Sequence, residues 1–269
     1  MDKTIELVNS IKDIQAMPSV IVKTLNLMKK PTVSMKELGD IVMYDQSLTI
    51  KILALVNSAY YGFSQQISSI SIALSLLGMV KVKNIIVAVA MKPMMSNAGD
   101  KELWKHSIRV AAGCEYLAKM TKVMDADEAF IAGFIHDVGK IVLHTSNPKM
   151  YARVVEITNN NEADILDTEK HYFDSDHVKT GSLLAKRWQL PILLANIISY
   201  HHNPSLSSIP IPCNLVCVVD ALMQDKFNPN KMDKDFLKTL GINLDDLEEL
   251  RKSIWAKAEL LISELTYEV

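Results

Sequence analysis

A chain of 269 residues with 49% hydrophobic and 22% charged residues can bury a full core and is too apolar for intrinsic disorder. Its net charge of −2 divides as 10 basic against 7 acidic residues over 1–100 and 19 against 24 over 101–269, which leaves no basic footprint for nucleic acid. Met1 leads into Asp2 and Lys3 without an apolar leader, and no run reaches the roughly 18 apolar residues that cross a bilayer, so a cytoplasmic protein with no membrane partner is expected.

Gly and Pro number 9 each and fall mostly between periodic segments, and alternating strand patterns are nearly absent, which predicts an all-α fold. Over residues 19–30, Val20, Ile21, Leu25 and Met28 recur at helical spacing, and Pro31 is expected to end the segment. Ser34 with Glu37 forms a capping box ahead of Leu38, Ile41 and Val42; Asp45 and Ser47 mark the turn into Leu48 to Val56. Periodicity is lost between Pro93 and Lys101, in MMSNAGD, which places a boundary between an N-terminal helical lobe over 1–95 and a second helical lobe over 101–224. Asn203 to Pro212, with three prolines, reads as a mobile surface loop before the apolar run Cys213 to Met223. Residues 225–269 form a C-terminal extension. There Asn243 and Asp246 open a helix with Leu247, Leu250, Ile254, Ala258, Leu261 and Leu265 on one stripe, to pack on its own domain, a partner or a second copy. Cys114, Cys213 and Cys217 lack CxxC spacing and read as reduced core thiols.

The second lobe holds His106, His136-Asp137, His177, His201-His202 and Asp220 in otherwise apolar helical stretches. Imidazoles and carboxylates together suit iron, manganese or zinc, and seven such groups can hold two ions bridged by a shared aspartate. Each group also has a structural alternative. His106 shares a helix face with Val110, Gly113 and Leu117 and alone reads as a core histidine, with Glu102 one turn before it. Asp137 lies within AFIAGFIHDVGKIVL, read as one apolar helix, where Lys140 sits three residues on; the two can form a buried ion pair, or Asp137 can bind metal and leave Lys140 to contact a phosphate. His177 follows Asp174 and Ser175, either of which can cap its helix, and alone it reads as a partly exposed first-turn residue. His201-His202 end the helix Ile192 to Tyr200, where a polar pair is ordinary. Asp220 has no lysine or arginine within one turn and needs a partner. His144 and His171 read as structural.

The order His, His-Asp, Asp resembles the HD superfamily of metal-dependent phosphohydrolases. Over roughly residues 14–224 the chain is more closely similar to the HDOD family, the HD-related output domains of bacterial signalling proteins. MPSVIVKTLNLM, DQSLTIKILALVNSAYYGF and ISSISIALSLLG carry that likeness in the first lobe, and FIHDVGK, GSLLAKRWQLP and HH in the second. The resemblance implies an all-helical regulatory output module, with a multi-helix N-terminal lobe packed on an HD-like lobe, that acts on signalling proteins without a generally accepted enzymatic activity. Many members have lost metal-site residues, whereas this sequence matches the ligand set of the HD-GYP cyclic-di-GMP phosphodiesterases at His106, His136, Asp137, His177, His201, His202 and Asp220, and Glu102 matches a third-metal position. After His201-His202 the likeness breaks: NPSLSSIPIP stands where the GYP-bearing loop belongs.

Two readings follow. The first is a signalling module whose conformation is set by bound metal or nucleotide; the second is a phosphohydrolase acting on a phosphoester or nucleotide, with Asp137 and Lys140 as its catalytic residues. No receiver or cyclase domain is expected within the chain, so the signal is expected to arrive by noncovalent contact or ligand, and oligomeric state is not legible.

Overall fold

Helix-forming periods run the length of the chain, and the computed structural model, which describes residues 3–11, 17–28, 34–58, 63, 65–97, 101–161 and 163–266, is helical with no strand among them. In chain order the helices are α1 (Lys3–Ser10), α2 (Ser19–Met28), α3 (Met35–Met43), α4 (Gln46–Val56) and α5 (Ile70–Asn97). There follow α6 (Lys101–Thr121), α7 (Ala126–Ile135), α8 (Val138–Ser146), α9 (Pro148–Asn161) and α10 (Ile165–Phe173). The last are α11 (His177–Arg187), α12 (Ile192–Tyr200), α13 (Pro210–Leu222), α14 (Lys234–Thr239) and α15 (Leu247–Thr266).

The chain divides into two units, Met17–Pro93 with Ala256–Val269, and Met1–Ala16 with Met94–Trp255. This differs from the expected 1–95, 101–224 and 225–269. The boundary falls inside α5, whose helix continues through Pro93 to Asn97, while residues 98–100 of the expected linker lie outside the described residues. Helix α1 groups with the second unit because Thr4 and Val8 are buried there, with Thr4 Oγ1 2.8 Å from Ser175 Oγ.

In the first unit, local signals act as the sequence predicts. Ser34 Oγ accepts from the Glu37 N–H at 3.2 Å and Glu37 Oε2 accepts from the Ser34 N–H at 3.0 Å, a reciprocal cap that satisfies two of the orphan donors of α3. Asp45 caps α4 through Leu48, and Pro31 lies outside the described residues. Asn57 ends α4 and clamps the following segment, its amide donating to the carbonyls of Leu53 and Ile67 at 2.8 Å and its oxygen accepting from the Ile67 N–H at 2.7 Å. Leu38, Val42, Leu48, Ile52, Leu55 and Leu74 form the unit's core. Ser34→Ala is expected to cost about 1 kcal/mol, read as a lower denaturant midpoint, because the cap donors return to water.

Gly78 interrupts α5 with φ +77°, a conformation that disfavours any side chain even though a β-carbon there would meet nothing within 4 Å. Ile70–Met95 corrects the expectation that no segment is long and apolar enough to span a bilayer. It passes by length and composition, but 61% of its apolar window is buried inside the protein, as in the core helix of a globular fold.

The second unit carries all seven ligand candidates. Helix α6 packs along α7 and α13, and α11 lies between α8 and α12. The stretch expected as a mobile loop, Asn203 to Pro212, is instead ordered: a 3-10 turn spans Pro204–Leu206 and α13 starts at Pro210, where proline's missing N–H costs nothing in a first turn. Of the C-terminal stripe, Leu247, Leu250 and Ile254 are buried in this unit, while Ala258 and Leu265, which group with the first unit, are buried there, along with Ile262 rather than Leu261.

Candidate metal centre

The apolar segment around His136-Asp137 is not one helix. Helix α7 stops at Ile135 and α8 starts at Val138, with Asp137 at φ −95°, ψ 15° between them. The break frees the Gly133 carbonyl, and the His136 ring takes it up, Nδ1 lying 2.7 Å from that oxygen. His201 repeats the arrangement at the end of α12, its Nδ1 3.1 Å from the Ile197 carbonyl oxygen and 3.2 Å from that of Ile198. His177 opens α11, and its Nδ1 lies 2.7 Å from Glu169 Oε2. In each ring Nδ1 faces an acceptor oxygen, which turns Nε2 toward a common centre.

That centre is Asp137, 1% exposed. Its Oδ2 lies 2.5 Å from Lys140 Nζ, 3.2 Å from His136 Nε2 and 3.6 Å from His106 Nε2. Its Oδ1 lies 3.4 Å from His177 Nε2 and 3.7 Å from His201 Nε2. Asp220 Oδ1 faces His106 Nε2 at 2.9 Å and His136 Nε2 at 3.6 Å, and accepts from the Gln224 amide at 2.9 Å. His177 Nε2 and His202 Nε2 stand 3.0 Å apart. The ligand atoms thus form two groups, each within 4.8 Å: His106, His136, Asp137 and Asp220, and His177, His201 and His202. Asp137 faces both. Glu102 stands apart from these groups, two-thirds exposed and paired with Lys105 at 2.6 Å.

The electrostatics favour a cation. Burial opposes charge on Asp137, but His136 and Lys140 outweigh it and hold the carboxyl well below the usual range. Burial likewise opposes charge on Asp220, and His106 and His136 pull its carboxyl well below that range. Burial alone would lower His136, yet Asp137 and Asp220 bring it up to about 10. The two carboxylates therefore demand positive charge at His136 Nε2, which a proton or a metal ion can supply. His201 and His202 go the other way: burial, then neighbouring histidines, depress both, His202 to about 4, and leave neutral imidazoles of the kind a metal takes. His106 Nε2, His136 Nε2, His201 Nε2 and Asp137 Oδ1 are buried without a well-formed hydrogen bond. Three ring nitrogens and a carboxylate oxygen, buried, convergent and without such a bond, are the arrangement a divalent metal satisfies, so the residues fit such an ion.

The HDOD domain family matches residues 14–204 of this sequence. The chain belongs to the HDOD family. An uncharacterised protein of Treponema pallidum (strain Nichols) is 30% identical over 203 residues, 73% of this chain and 39% of that protein, so the chain spans about two fifths of its relative's length. Among solved structures, a protein of Marinobacter aquaeolei VT8 provisionally named for signal transduction superposes with a TM-score of 0.78 at 20% identity, over 94% of this chain and 60% of the other. A protein of Shewanella amazonensis SB2B provisionally named a phosphohydrolase gives 0.72 at 20% identity, over 98% of both chains. At these identities the solved structures establish the fold.

In this HDOD chain sequence reasoning missed three residues around the centre. Glu169 holds His177 from eight residues upstream, a spacing no helical period signals. Gln224, one turn after Asp220, was overlooked in a search restricted to lysine and arginine. The cap of α11 is Asp176, whose carboxylate accepts from the Lys179 N–H at 2.7 Å. Neither Asp174 nor Ser175 fills that role, because Asp174 closes α10 in the left-handed region at φ 54° and the Ser175 hydroxyl is engaged with Thr4. His177, read alone as partly exposed, is fully buried.

Proposed function

We propose that this chain is a bacterial signalling output module whose helical core binds divalent metal, with occupancy of the site setting the surface offered to a signalling protein. The observation that supports it most is the convergence of Nε2 atoms from α6, α11, the end of α12 and the α7–α8 turn on two buried carboxylates, one in that turn and one on α13. A bound ion would tie α6, the α7–α8 turn, α11, α12 and α13 together, so gaining or losing it changes how rigidly those elements are joined. We assign His106, His136, Asp137 and Asp220 to one ion and His177, His201 and His202 to a second, with Asp137 between them and iron, manganese or zinc as the metal. Glu102, at the surface on the Lys105 side, is available to a third ion only after leaving that pair. The expected setting is the cytoplasm.

A second reading, a metal-dependent phosphohydrolase acting on a phosphoester or nucleotide, draws support from the completeness of the ligand set. Divalent ions would supply Lewis acidity toward a phosphoryl oxygen. The chain itself would contribute Asp137 to orient the donors and Lys140 as a charge toward the phosphate. Lys140 lies 2.5 Å from Asp137, however, and must leave that carboxylate before it can meet a substrate, which favours the first reading.

Elemental analysis of protein purified without chelator or affinity metal, beside a His136→Ala/Asp137→Ala variant, tests the site. One or two equivalents of iron, manganese or zinc in the parent and a loss of at least one in the variant are expected. A metal-free parent after anaerobic reconstitution would sink both readings. With metal present, partner binding that survives its removal would rule out the regulatory role, and turnover in a phosphoester screen would establish the second reading.

A further inference from the structure

Glu169 has no exposed surface and, among the described residues, no lysine or arginine bonded to it, yet its carboxylate is fully engaged. Oε2 accepts from the His177 backbone N–H at 2.8 Å and faces the His177 ring Nδ1 at 2.7 Å, while Oε1 accepts from the Tyr151 hydroxyl at 3.1 Å. Three helices build this arrangement. Tyr151 comes from α9, its ring packed among Leu143, Val154 and Phe173. Glu169 lies on α10, and the left-handed residue Asp174 turns the chain so that the first residue of α11 returns to it. A carboxylate offers acceptor oxygens on both sides and can take His177 on one and Tyr151 on the other, whereas an amide, with one acceptor oxygen and one NH2 donor, cannot reproduce that pattern. The single ring nitrogen it faces belongs to His177, whose other nitrogen lies 3.4 Å from Asp137 Oδ1 and 3.0 Å from His202 Nε2.

We propose that Glu169 is a positioning residue for the centre: it holds His177 in the tautomer with hydrogen on Nδ1 and a bare Nε2 aimed at Asp137, while Tyr151 fixes the carboxylate's outer oxygen. Its bearing on metal rests on the reading of the cluster as a metal site; its bearing on the His177 tautomer does not. A carboxylate behind a ligating imidazole fixes the ring's orientation and raises its basicity, and loss of such a partner weakens metal binding 10- to 100-fold in general.

The test uses the full chain labelled with 15N at histidine, as parent, Glu169→Gln and Tyr151→Phe. Long-range 1H–15N spectra of metal-stripped protein read the tautomer directly, and competition of Zn2+ against a chromophoric chelator reads affinity. The parent is expected to show His177 protonated at Nδ1, and Glu169→Gln to populate the other tautomer. Zn2+ affinity is expected to fall about 10- to 100-fold in Glu169→Gln and by a smaller factor in Tyr151→Phe, with far-UV circular dichroism unchanged. A merely structural Glu169 would move melting temperature without moving the tautomer. An unchanged His177 tautomer in Glu169→Gln overturns the proposal. If Glu169→Gln does not fold, Tyr151→Phe carries the test, and parental affinity together with a parental tautomer in that variant is the overturning result. A parent that binds no Zn2+ refutes the metal reading alone, since the tautomer comparison still decides what Glu169 does.

Discussion

Asp137→Ala is expected to lose bound metal and to destabilise the chelated, metal-free protein by about 3 kcal/mol, at the low end of the range for breaking a buried ion pair. Asp137 is 1% exposed and is paired with Lys140, whose side chain retains 17% exposure. Without it Lys140 keeps its charge beside His136 with Asp220 and Glu169 as its remaining nearby carboxylates, and the buried imidazoles of His177 and His201 lose the oxygen they face. The residual exposure lets the lysine reach toward water, which sets the low end. Asp137→Asn separates the two roles: it keeps volume and one acceptor oxygen, so it should recover part of the stability while still failing to bring the two ligand groups together. Denaturant titration with and without excess Mn2+ reads both effects. In the parent, ion at a thousand times its dissociation constant should add about 4 kcal/mol, and neither variant should show that gain. An Asp137→Ala protein as stable as the parent would mean that Lys140 finds another partner and that the ion pair is incidental.

How far the sequence reveals this centre depends on how local each signal is. Asp45, Ser34 and Glu37 act within three residues of themselves, and the structure shows their caps as the sequence spacing predicts. Period alone also suffices for the all-helical class, because apolar positions at helical spacing need no knowledge of what they pack against. The His136-Asp137 break is different. Ala129 to Ile135 and Val138 to Leu143, Lys140 excepted, are buried almost without exception, so no polar face marks a turn, and hydrophobicity reads as one helix. At the end of α7 a ring nitrogen meets a carbonyl three residues back, a contact that carries no composition signal. Glu169 was illegible for the same reason: its partner is made by a left-handed residue at Asp174, a non-glycine position where sequence gives little warning of positive φ. The grouping of α1 with the second unit likewise depends on a hydroxyl pair separated by 171 residues.

Gly139→Ala is expected to damage the centre without touching any ligand. A β-carbon at Gly139 would sit 1.9 Å from the His177 carbonyl oxygen, 2.6 Å from the Gly181 nitrogen and 2.7 Å from Thr180 Oγ1. Two of those atoms are backbone, so no rotamer change relieves the clash, and α8 and α11 must separate. The cost should be about 3 kcal/mol or more, at the upper end for overpacked cores. Separation moves His177 away from Asp137, now 3.4 Å distant, by more than the roughly 0.5 Å a ligand constellation tolerates, so metal affinity should fall along with stability. Gly181→Ala is the milder comparison, since its β-carbon would meet Ile198 Cγ2 on α12 at 2.8 Å and the Gly139 backbone nitrogen only at 3.3 Å. Melting temperature and Zn2+ titration of the two variants should therefore diverge, with Gly139→Ala losing both and Gly181→Ala losing mainly stability. Equal, mild effects would show that α8 and α11 have room to slide, and that the close approach of glycine 139 to the His177 backbone does not set the position of that histidine.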